Sequence, residues 1–320
     1  MPQESKTTSP TKTARPGKII AVGGAKGGIG KSLFVANLGV FLSRLGKRTV
    51  VVDLDLGGAN LNLYMGVWSL TCRIDDFLDG TVSDINEIGT PTKYGPLLMG
   101  GGGGKLGAAN IHFSRKLKLL RALKTIDADY VILDLGGDTT YNILDFYLTA
   151  DQGFVLTTCD PASYMDAYGF IKTSLHRKLT RLFGAESNYY DYRDATVDQL
   201  IKDHIFPHTT GNGSHIQALM DRLEEEKPIY HGIVKGLLDG FRPGVVVTMF
   251  DEQEQADELV ARLQKISRKM LSVDLNYFGC VPFEKEIQRS AKELIPSVAK
   301  NPEGSFAKAL RRIVLKMEMA

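Results

Sequence analysis

Short apolar runs recur along the chain, and most are followed by a longer stretch in which apolar residues repeat at helical spacing. A strand that is buried on both faces gives an almost continuous apolar run, as parallel strands covered by helices do. The alternation therefore predicts an α/β fold with a mostly parallel, doubly wound sheet flanked by helices. The predicted strands lie near residues 18–23, 49–54, 95–99, 129–134, 153–158, 244–249 and 274–280.

One interval, at about 184–241, departs from this alternation and has the character of a helical insertion. Tyr189, Tyr190 and Tyr192 lie near its start, and helical patterns follow around Leu219 and around Ile233. Functional variation concentrates in such additions, which favours a partner-binding subdomain. A structural cover for the sheet explains the same pattern equally well, and the sequence leaves both interpretations open.

Composition and charge are those of an ordinary globular protein. With 320 residues, 43% of them apolar and 24% charged, the chain can bury a large core. Its 39 basic residues exceed its 37 acidic ones by two, and residues 1–17 hold that same excess. The remaining body is formally neutral, so the overall charge gives no case for a nucleic-acid partner.

The first 17 residues are rich in Thr, Ser, Pro and Lys without apolar periodicity, which predicts a disordered basic tail before a folded unit at 18–320. No apolar stretch typical of a signal peptide follows the tail. No run approaches the roughly 18 apolar residues that cross a bilayer. We therefore expect a cytoplasmic protein, with peripheral membrane contact as a second option considered below.

A glycine-rich segment between the first predicted strand and the first predicted helix carries the strongest chemical signal. Residues 26–32 have the sequence K-G-G-I-G-K-S. Glycines let backbone N–H groups fold around phosphate oxygens, and the positive end of the following helix faces the anion. In such a loop Lys31 reaches the β- and γ-phosphates, and the Ser32 hydroxyl ligates Mg²⁺. The predicted nucleotide contacts are Gly27, Gly28, Ile29, Gly30, Lys31, Ser32 and Leu33.

A second lysine, Lys26, precedes the glycine pair, and Ala25 occupies the position where the common pattern has its first glycine. Lys26 lies too early in the loop to hold the phosphates that Lys31 holds. It can instead reach a nucleotide bound by a second subunit, as an arginine finger supplies charge in trans. This predicts a catalytic role for Lys26 across a homodimer.

The loop resembles that of the MinD/ParA family, the deviant Walker A ATPases, whose hallmark is K-G-G-x-G-K-[ST] with a signature lysine. Two apolar strands extend the resemblance: one ends in two carboxylates, the second of them Asp55, and the other ends in the D-x-x-G of residues 134–137. Both segments are similar to the switches of the family, and Asp55 follows Lys26 by the usual 29 residues. The resemblance implies a P-loop NTPase fold, in which Asp55 orients the attacking water. It also implies an Mg²⁺ site formed by Ser32, Asp55 and Asp134.

Within this family the chain is most similar to the FlhG/FleN flagellar-number regulators and their MinD-like relatives. Residues 277–282, Y-F-G-C-V-P, are similar to a strand and loop that lie near the adenine, which implies a contact at Pro282. Thr248 stands where relatives place an asparagine against the base. Asp138 matches an acid of the related nitrogenase iron protein and joins the predicted catalytic residues. The N-terminal motif of the flagellar regulators, D-Q-A-x-x-L-R, is absent from residues 1–17.

These resemblances imply a particular activity. An ATPase of this kind binds ATP and Mg²⁺, forms an ATP-sandwich homodimer and uses hydrolysis to switch the binding of a protein partner. The switch controls the positioning or number of a partner assembly. The sequence does not identify the partner, because no motif in it specifies one.

Two other classes of protein share the loop. A DNA-bound partitioning ATPase would use the basic positions of one predicted helix, which also suit a solvated helix face. Those positions are Arg115, Lys116, Lys118, Arg121 and Lys124. An iron–sulfur carrier or reductase would have paired cysteines, whereas Cys72, Cys159 and Cys280 are scattered along the chain.

The C-terminal segment predicts an amphipathic helix with basic residues beside its apolar stripe. The stripe comprises Phe306, Leu310, Ile313, Val314 and Met317. A helix of this kind lies on an anionic membrane in MinD. In the flagellar regulators a matching helix, introduced by a proline like Pro302, packs on the sheet, and we expect the same packing here.

Overall fold

The computed structural model describes residues 16–24, 26–55, 58–101, 112–185, 187, 189–205 and 215–319. These residues form one sheet of eight strands with helices on both faces. The strands are β1 (Lys18–Gly23), β2 (Thr49–Asp53), β3 (Thr90–Pro91), β4 (Leu97–Gly100), β5 (Tyr130–Asp134), β6 (Gln152–Thr157), β7 (Gly244–Phe250) and β8 (Asn276–Pro282).

The described residues also form thirteen α-helices. The first six are α1 (Lys31–Arg44), α2 (Leu61–Tyr64), α3 (Ile74–Asp79), α4 (Phe113–Leu123), α5 (Tyr141–Tyr147) and α6 (Pro161–Phe183). The others are α7 (Ala195–Ile205), α8 (His215–Glu226), α9 (Pro228–Asp239), α10 (Gln253–Leu271), α11 (Lys285–Lys292), α12 (Ser297–Lys300) and α13 (Ser305–Met319). Among these described helices, none combines the length and the apolar character that a bilayer crossing requires.

The strand order across the sheet is β3-β4-β2-β5-β1-β6-β7-β8. Neighbouring strands are parallel except β3 and β4, which pair antiparallel at one edge. The predicted mostly parallel, doubly wound sheet is therefore confirmed. The central strand β1 lies between β5 and β6, and the chain segments that follow β1 and β5 leave the sheet side by side. Such a position in a parallel sheet is where ligands bind.

Side chains of each central strand alternate between two hydrophobic cores. In β1, Ile19 and Ala21 face the core under helices α3–α10, whereas Ile20 and Val22 face the core under α1 and α13. All four are almost completely buried. Burial on both faces explains why the strands appear in the sequence as unbroken apolar runs.

The interval 184–241 contributes helices α7, α8 and α9 to one of these cores. Val197, Ile201, Leu219, Leu223 and Val234 from the three helices are buried in the same cluster as residues of α6 and α10. The interval therefore adds helices that pack against α6 and α10 on one side of the sheet. Two of its tyrosines, Tyr189 and Tyr190, remain largely exposed.

Both ends of the described chain pack on the sheet. The five apolar stripe residues of α13 are buried in the core that also contains α1 and β8. The stripe is therefore covered by protein, in agreement with the packing expected from the sequence. At the other end, Pro16 forms an antiparallel backbone bridge with Asp127. Residues 1–15 of the predicted tail lie outside the described residues.

The basic residues in and directly after α4 differ in their surroundings: Lys116 is buried, Arg115 is partly exposed, and the other three are exposed. Lys116 is 4% exposed, and its ammonium lies 2.6 Å from a carboxylate oxygen of Asp145. Arg115 pairs with Asp79, and Lys118 donates to the carbonyl of Phe77. Lys116 is therefore withdrawn from the surface and neutralised by Asp145, whereas 39% of the Arg115 side chain is exposed and Lys118 remains exposed. The interpretation of this helix as a DNA-binding face is wrong for Lys116 and stays a prediction for the other basic positions.

Asp145 is the centre of a buried ionic cluster that joins three helices. Its carboxylate accepts hydrogen bonds from Lys116 of α4 and, at 2.8 and 2.9 Å, from Arg177 of α6. Burial alone would raise the pKa of Asp145, but the hydrogen bonds from Arg177 and Lys116 hold it below its usual value. The contribution of this carboxylate to stability is therefore present at neutral pH and is lost as the pH falls through the lowered folded-state pKa.

We expect Asp145→Ala to lower the free energy of unfolding by about 3–5 kcal/mol, because it leaves two buried cations without their carboxylate. Urea unfolding at pH 7 measures this loss. The matched control is Asp79→Ala, which breaks the more exposed pair with Arg115 and should cost about 1 kcal/mol or less. Equal losses in the two variants would contradict the central role of Asp145.

Candidate functional site

A cavity of about 350 Å³ opens at the carboxyl end of the sheet, beside the loop that joins β1 to α1. It is lined by residues that lie far apart in sequence. They include Gly27, Gly28, Gly30, Lys31, Ser32 and Leu33 from the loop and α1, Asp55 and Gly58 after β2, Gly137 after β5, Thr248 and Met249 in β7, and Val281 and Pro282 in β8. The structure thus brings most of the predicted site residues together around one space.

The loop adopts backbone conformations that require glycine. Gly28 and Gly30 have φ angles of 80° and 86°, a region that side chains disfavour. A Cβ atom at Gly27 or Gly28 would meet no atom within 4 Å, so both residues border open space. Gly30 precedes the first residue of α1, and the backbone N–H groups at the start of that helix have no partner within the helix. The loop is therefore a cradle for an anion.

Lys31 is buried at the start of α1, where it is 8% exposed. Its ammonium donates a hydrogen bond of 2.8 Å to the carbonyl oxygen of Lys26, across the loop. Burial lowers the pKa of Lys31, while Asp134, Asp55 and Asp138 oppose that shift. Among the described residues that line the cavity, Lys31 is the only cation.

Two buried carboxylates lie side by side beneath the loop. Asp53 ends β2, Asp134 ends β5, and the two residues are paired in the strand register. Burial raises the pKa of both carboxyl groups. The negative charge of Asp55 adds to the rise for Asp53, and the charges of Asp53 and Asp55 add to the rise for Asp134. Ser32 donates a hydrogen bond to Asp134, yet the Oδ1 atom of Asp134 has no partner among the described residues. A buried oxygen in this state favours a proton or a cation.

Asp55 lies in the wall of the cavity, two residues beyond β2. Its Oδ1 atom accepts a hydrogen bond of 3.0 Å from the backbone N–H of Gly58, which holds the start of the following loop. Residues 56 and 57 of the predicted first switch lie outside the described residues.

The segment after β5 approaches both Asp55 and the glycine-rich loop. A Cβ atom at Gly136 would lie 3.5 Å from a carboxylate oxygen of Asp55. One at Gly137 would lie only 3.1 Å from the backbone nitrogen of Gly27. Glycine at position 137 is therefore required for this close contact between the two segments.

The side chain of Lys26 points away from the loop interior. Its ammonium lies 2.9 Å from the carboxylate of Asp160, the residue that precedes α6, and 41% of the side chain is exposed. Lys26 thus contributes its backbone carbonyl to Lys31, whereas its charge is held at the rim of the site.

Asp138 occupies a different place from the other predicted catalytic residues. Its carboxylate accepts hydrogen bonds of 2.8 Å from the backbone N–H and the hydroxyl of Thr140, at the start of α5. It therefore orders the N-terminal end of that helix, and its described link to the cavity is its charge acting on Lys31. A direct catalytic role for Asp138 remains a prediction.

Two of the predicted nucleotide contacts, Ile29 and Thr248, also have structural roles. Ile29 is 4% exposed, so its side chain anchors the loop in the core instead of facing the cavity. The Thr248 hydroxyl lies 2.7 Å from the carbonyl oxygen of Ile29, and it therefore braces the loop from β7. Pro282, at the end of β8, lines the cavity beside Phe283, which is about half exposed.

Comparison with known proteins places this geometry in a family. The model of the CobQ/CobB/MinD/ParA nucleotide-binding domain matches residues 20–297, which include the loop, both switch segments and β8. The chain belongs to this family. The resemblance to MinD/ParA proteins that the loop sequence indicated is thereby confirmed.

Relatives of this MinD/ParA chain include an antiactivator and a flagellum site-determining protein. The antiactivator FleN of Pseudomonas aeruginosa is 24% identical over 314 residues, which cover 95% of this chain and 87% of FleN. The flagellum site-determining protein YlxH of Helicobacter pylori is 30% identical over 172 residues, covering 50% of this chain and 55% of YlxH. The match thus spans about half the length of YlxH but most of FleN.

A solved structure shows the same fold. The septum site-determining protein MinD of Pyrococcus horikoshii OT3, in complex with Mg-ADP, superimposes with a TM-score of 0.61 and 17% sequence identity. The superposition covers 94% of this chain and 95% of that one. The P-loop NTPase architecture predicted for this MinD/ParA chain is thereby confirmed.

Two acids that shape this MinD/ParA site are missing from the residues predicted on sequence grounds. Asp53 accepts hydrogen bonds from the backbone N–H groups of Asp55 and Leu61 and so fixes both ends of the segment between them. Its position at the end of an apolar strand is a usable sequence signal. Asp160 holds Lys26 from 134 residues away, and only the tertiary structure could have indicated that pairing.

The oxygen donors of the site suit Mg²⁺. The hydroxyl of Ser32 and the carboxylates of Asp134 and Asp55 are hard oxygen ligands, which Mg²⁺ prefers in nucleotide sites. The partnerless, buried Oδ1 atom of Asp134 is the feature of this structure that a nearby cation would satisfy. The residues present therefore fit the ion.

Proposed function

We propose that this protein is a MinD/ParA-type ATPase that dimerises on ATP and controls the positioning or number of a partner assembly. One observation carries the proposal. A glycine cradle with a single buried lysine lies against the two segments that follow β2 and β5. Asp55 of the first segment faces the cavity, and Asp134 is buried where the second segment leaves β5. Such an arrangement links the state of a bound phosphate to the conformation of two surface loops.

The ligands of the site are ATP and Mg²⁺. The cavity provides a phosphate cradle, one buried cation and oxygen donors for a metal ion. The family is a nucleotide-binding one, and the MinD of P. horikoshii was solved with Mg-ADP. Bound Mg²⁺ supplies positive charge that offsets the charge developing on the phosphate oxygens.

Four of the predicted site residues have tasks within one subunit in this scheme. Lys31 binds the β- and γ-phosphate oxygens from within the loop. Ser32 and Asp134 hold the metal shell, and Asp55 orients the attacking water from the wall of the cavity. Because phosphoryl transfer requires little covalent help from the protein, catalysis consists mainly of positioning and charge stabilisation.

In the proposed function, the nucleotide state controls whether a protein partner is bound. FleN is an antiactivator, and YlxH and MinD are site-determining proteins by name. We infer that this chain likewise binds a protein partner in one nucleotide state and releases it in the other. A DNA-partitioning role has less basic surface than the sequence offered, because Lys116 is buried against Asp145.

We expect Asp55→Asn to abolish most hydrolysis while leaving ATP binding and dimerisation intact. The asparagine oxygen can still accept the hydrogen bond from Gly58, so the loop keeps its shape, but the charge that orients water is lost. Steady-state phosphate release should fall by about 100-fold. Light scattering in ATP and Mg²⁺ should show a dimer that persists longer than that of the unmodified chain.

The companion variant is Asp138→Asn, which changes the acid beside Thr140. If Asp55 orients the water, Asp138→Asn retains most of the turnover. Normal phosphate release from Asp55→Asn together with loss in Asp138→Asn would transfer the role to Asp138. Absence of an ATP-dependent dimer in the unmodified chain would contradict the proposed switch itself.

A further inference from the structure

A second cavity lies at the opposite end of the sheet from the phosphate loop. It is formed where β1, β6, β7 and β8 begin, together with the end of α5, part of α6 and the end of α13. Its volume is about 340 Å³, close to the 350 Å³ of the cavity at the loop. It is therefore large enough for a small organic ligand.

The charge of this second cavity is positive. Lys18, Lys178 and Arg242 line it, and among the described lining residues Asp151 is the only carboxylate. One oxygen of Asp151 already accepts a hydrogen bond of 2.8 Å from the backbone N–H of Ile19. With three cations against one carboxylate, the cavity has an excess of two positive charges.

The three cations are held in place without being neutralised. The ammonium of Lys18 donates to the carbonyl oxygen of Met317, and the guanidinium of Arg242 donates to that of Asp239. The ammonium of Lys178 lies 5.6 Å from the centre of the Phe241 ring, and no carboxylate of the described residues pairs with it. Burial lowers the pKa of Lys178, which reflects the cost of a half-buried cation without a counter-ion.

Tyr147 provides an independent indication of a ligand. The residue lines the cavity and is only 3% exposed, yet its hydroxyl has no hydrogen-bond partner among the described residues. Its ring lies against Gly153, where a Cβ atom would come within 2.7 Å of the hydroxyl oxygen. Glycine at that position therefore makes room for the phenol. A buried hydroxyl without a partner is costly unless a ligand oxygen accepts a hydrogen bond from it.

We propose that this second cavity binds a small organic phosphate monoester. A phosphate monoester carries close to two negative charges at neutral pH, which matches the excess of two positive charges. Its oxygens are acceptors for the ammonium of Lys178 and the hydroxyl of Tyr147. The apolar side chains of Leu148, Phe241 and Met317 line the same cavity and would contact the organic part of the ligand.

Phenyl phosphate is the probe for this site, because it joins a dianionic phosphate to an aromatic body. Calorimetric titration is carried out in the Lys31→Ala background as well as in the unmodified chain, so that binding at the phosphate loop is removed. We expect saturable binding of the same affinity in both. Benzoate, a monoanion of similar size, should bind about tenfold more weakly. Absence of binding, or binding that disappears with Lys31→Ala, would overturn the proposal.

Two conservative variants locate the binding. Tyr147→Phe removes only the hydroxyl, and Lys178→Met removes the charge but keeps an apolar stem. Each variant should lower the affinity for phenyl phosphate about tenfold. The matched control is Lys235→Met, which changes an exposed lysine on α9. Melting temperatures of all variants are compared to verify folding. Unchanged affinity in both folded cavity variants would show that phenyl phosphate binds elsewhere, and the assignment would fail.

Discussion

Lys31→Ala is expected to lose nucleotide binding. Lys31 is the only cation among the described residues that line the cavity, and it is buried next to the carboxylates of Asp134 and Asp55. Its removal leaves phosphate charge facing those two acids without compensation. We expect ATP affinity to fall by about 1,000-fold, equivalent to about 4 kcal/mol.

Calorimetric titration with ATP and Mg²⁺ measures this loss directly. Lys47→Ala is the matched control, because Lys47 is an exposed lysine just beyond the opposite end of α1. It should bind ATP like the unmodified chain. Micromolar affinity retained in Lys31→Ala would reject the assignment of the loop as the phosphate site. Circular dichroism of both variants separates loss of binding from loss of the fold.

Much of the sheet was predictable because its strands are buried on both faces. The prediction at 18–23 coincides with β1, and those near 129–134 and 244–249 differ from β5 and β7 by one residue at one end. The short strand β3 was missed. Two residues give no periodicity, and one of them is Pro91, which is depleted in strands and restricted to their edges.

The phosphate loop was predictable because its geometry is local. Glycines, lysine and serine act within seven consecutive residues, so the sequence itself describes the cradle. The remaining contacts of the site arise between distant segments. Thr248 reaches the carbonyl of Ile29 across 219 residues, and no periodicity or motif encodes that hydrogen bond.

The exposure of charged helix residues was the least predictable property. Lys116 and Arg121 have the same charge in the sequence, but Lys116 is 4% exposed beside Asp145 whereas Arg121 is exposed. The difference depends on which helices pack against α4, and that is decided by the tertiary structure. A basic stretch in a sequence is therefore weak evidence for a nucleic-acid surface.

The backbone and the side chain of Lys26 make contacts in different directions. The carbonyl oxygen is fixed by Lys31, and the segment at Gly137 packs against the same peptide unit. The ammonium is directed outward to Asp160 in an ion pair whose side chains are 41% and 51% exposed. Exposed pairs of this kind are weak, so a phosphate of a second subunit can compete with Asp160 for the ammonium.

We therefore expect Lys26→Ala to bind ATP normally but to lose ATP-dependent dimerisation and hydrolysis. A charge supplied in trans to phosphoryl transfer is worth about 1,000-fold or more in turnover, and phosphate release should fall by that order. Calorimetry, light scattering and phosphate release in ATP and Mg²⁺ measure the three properties separately.

Asp160→Asn is the matched control for this prediction. It removes the partner that holds Lys26 in the single chain but keeps the lysine itself. If Lys26 acts across the dimer, Asp160→Asn dimerises and hydrolyses ATP like the unmodified chain, because the ammonium remains available. If the ion pair with Asp160 is what matters, both variants lose activity equally. A normal dimer with full turnover in Lys26→Ala would contradict any role in trans and leave Lys26 with its backbone contact to Lys31 alone.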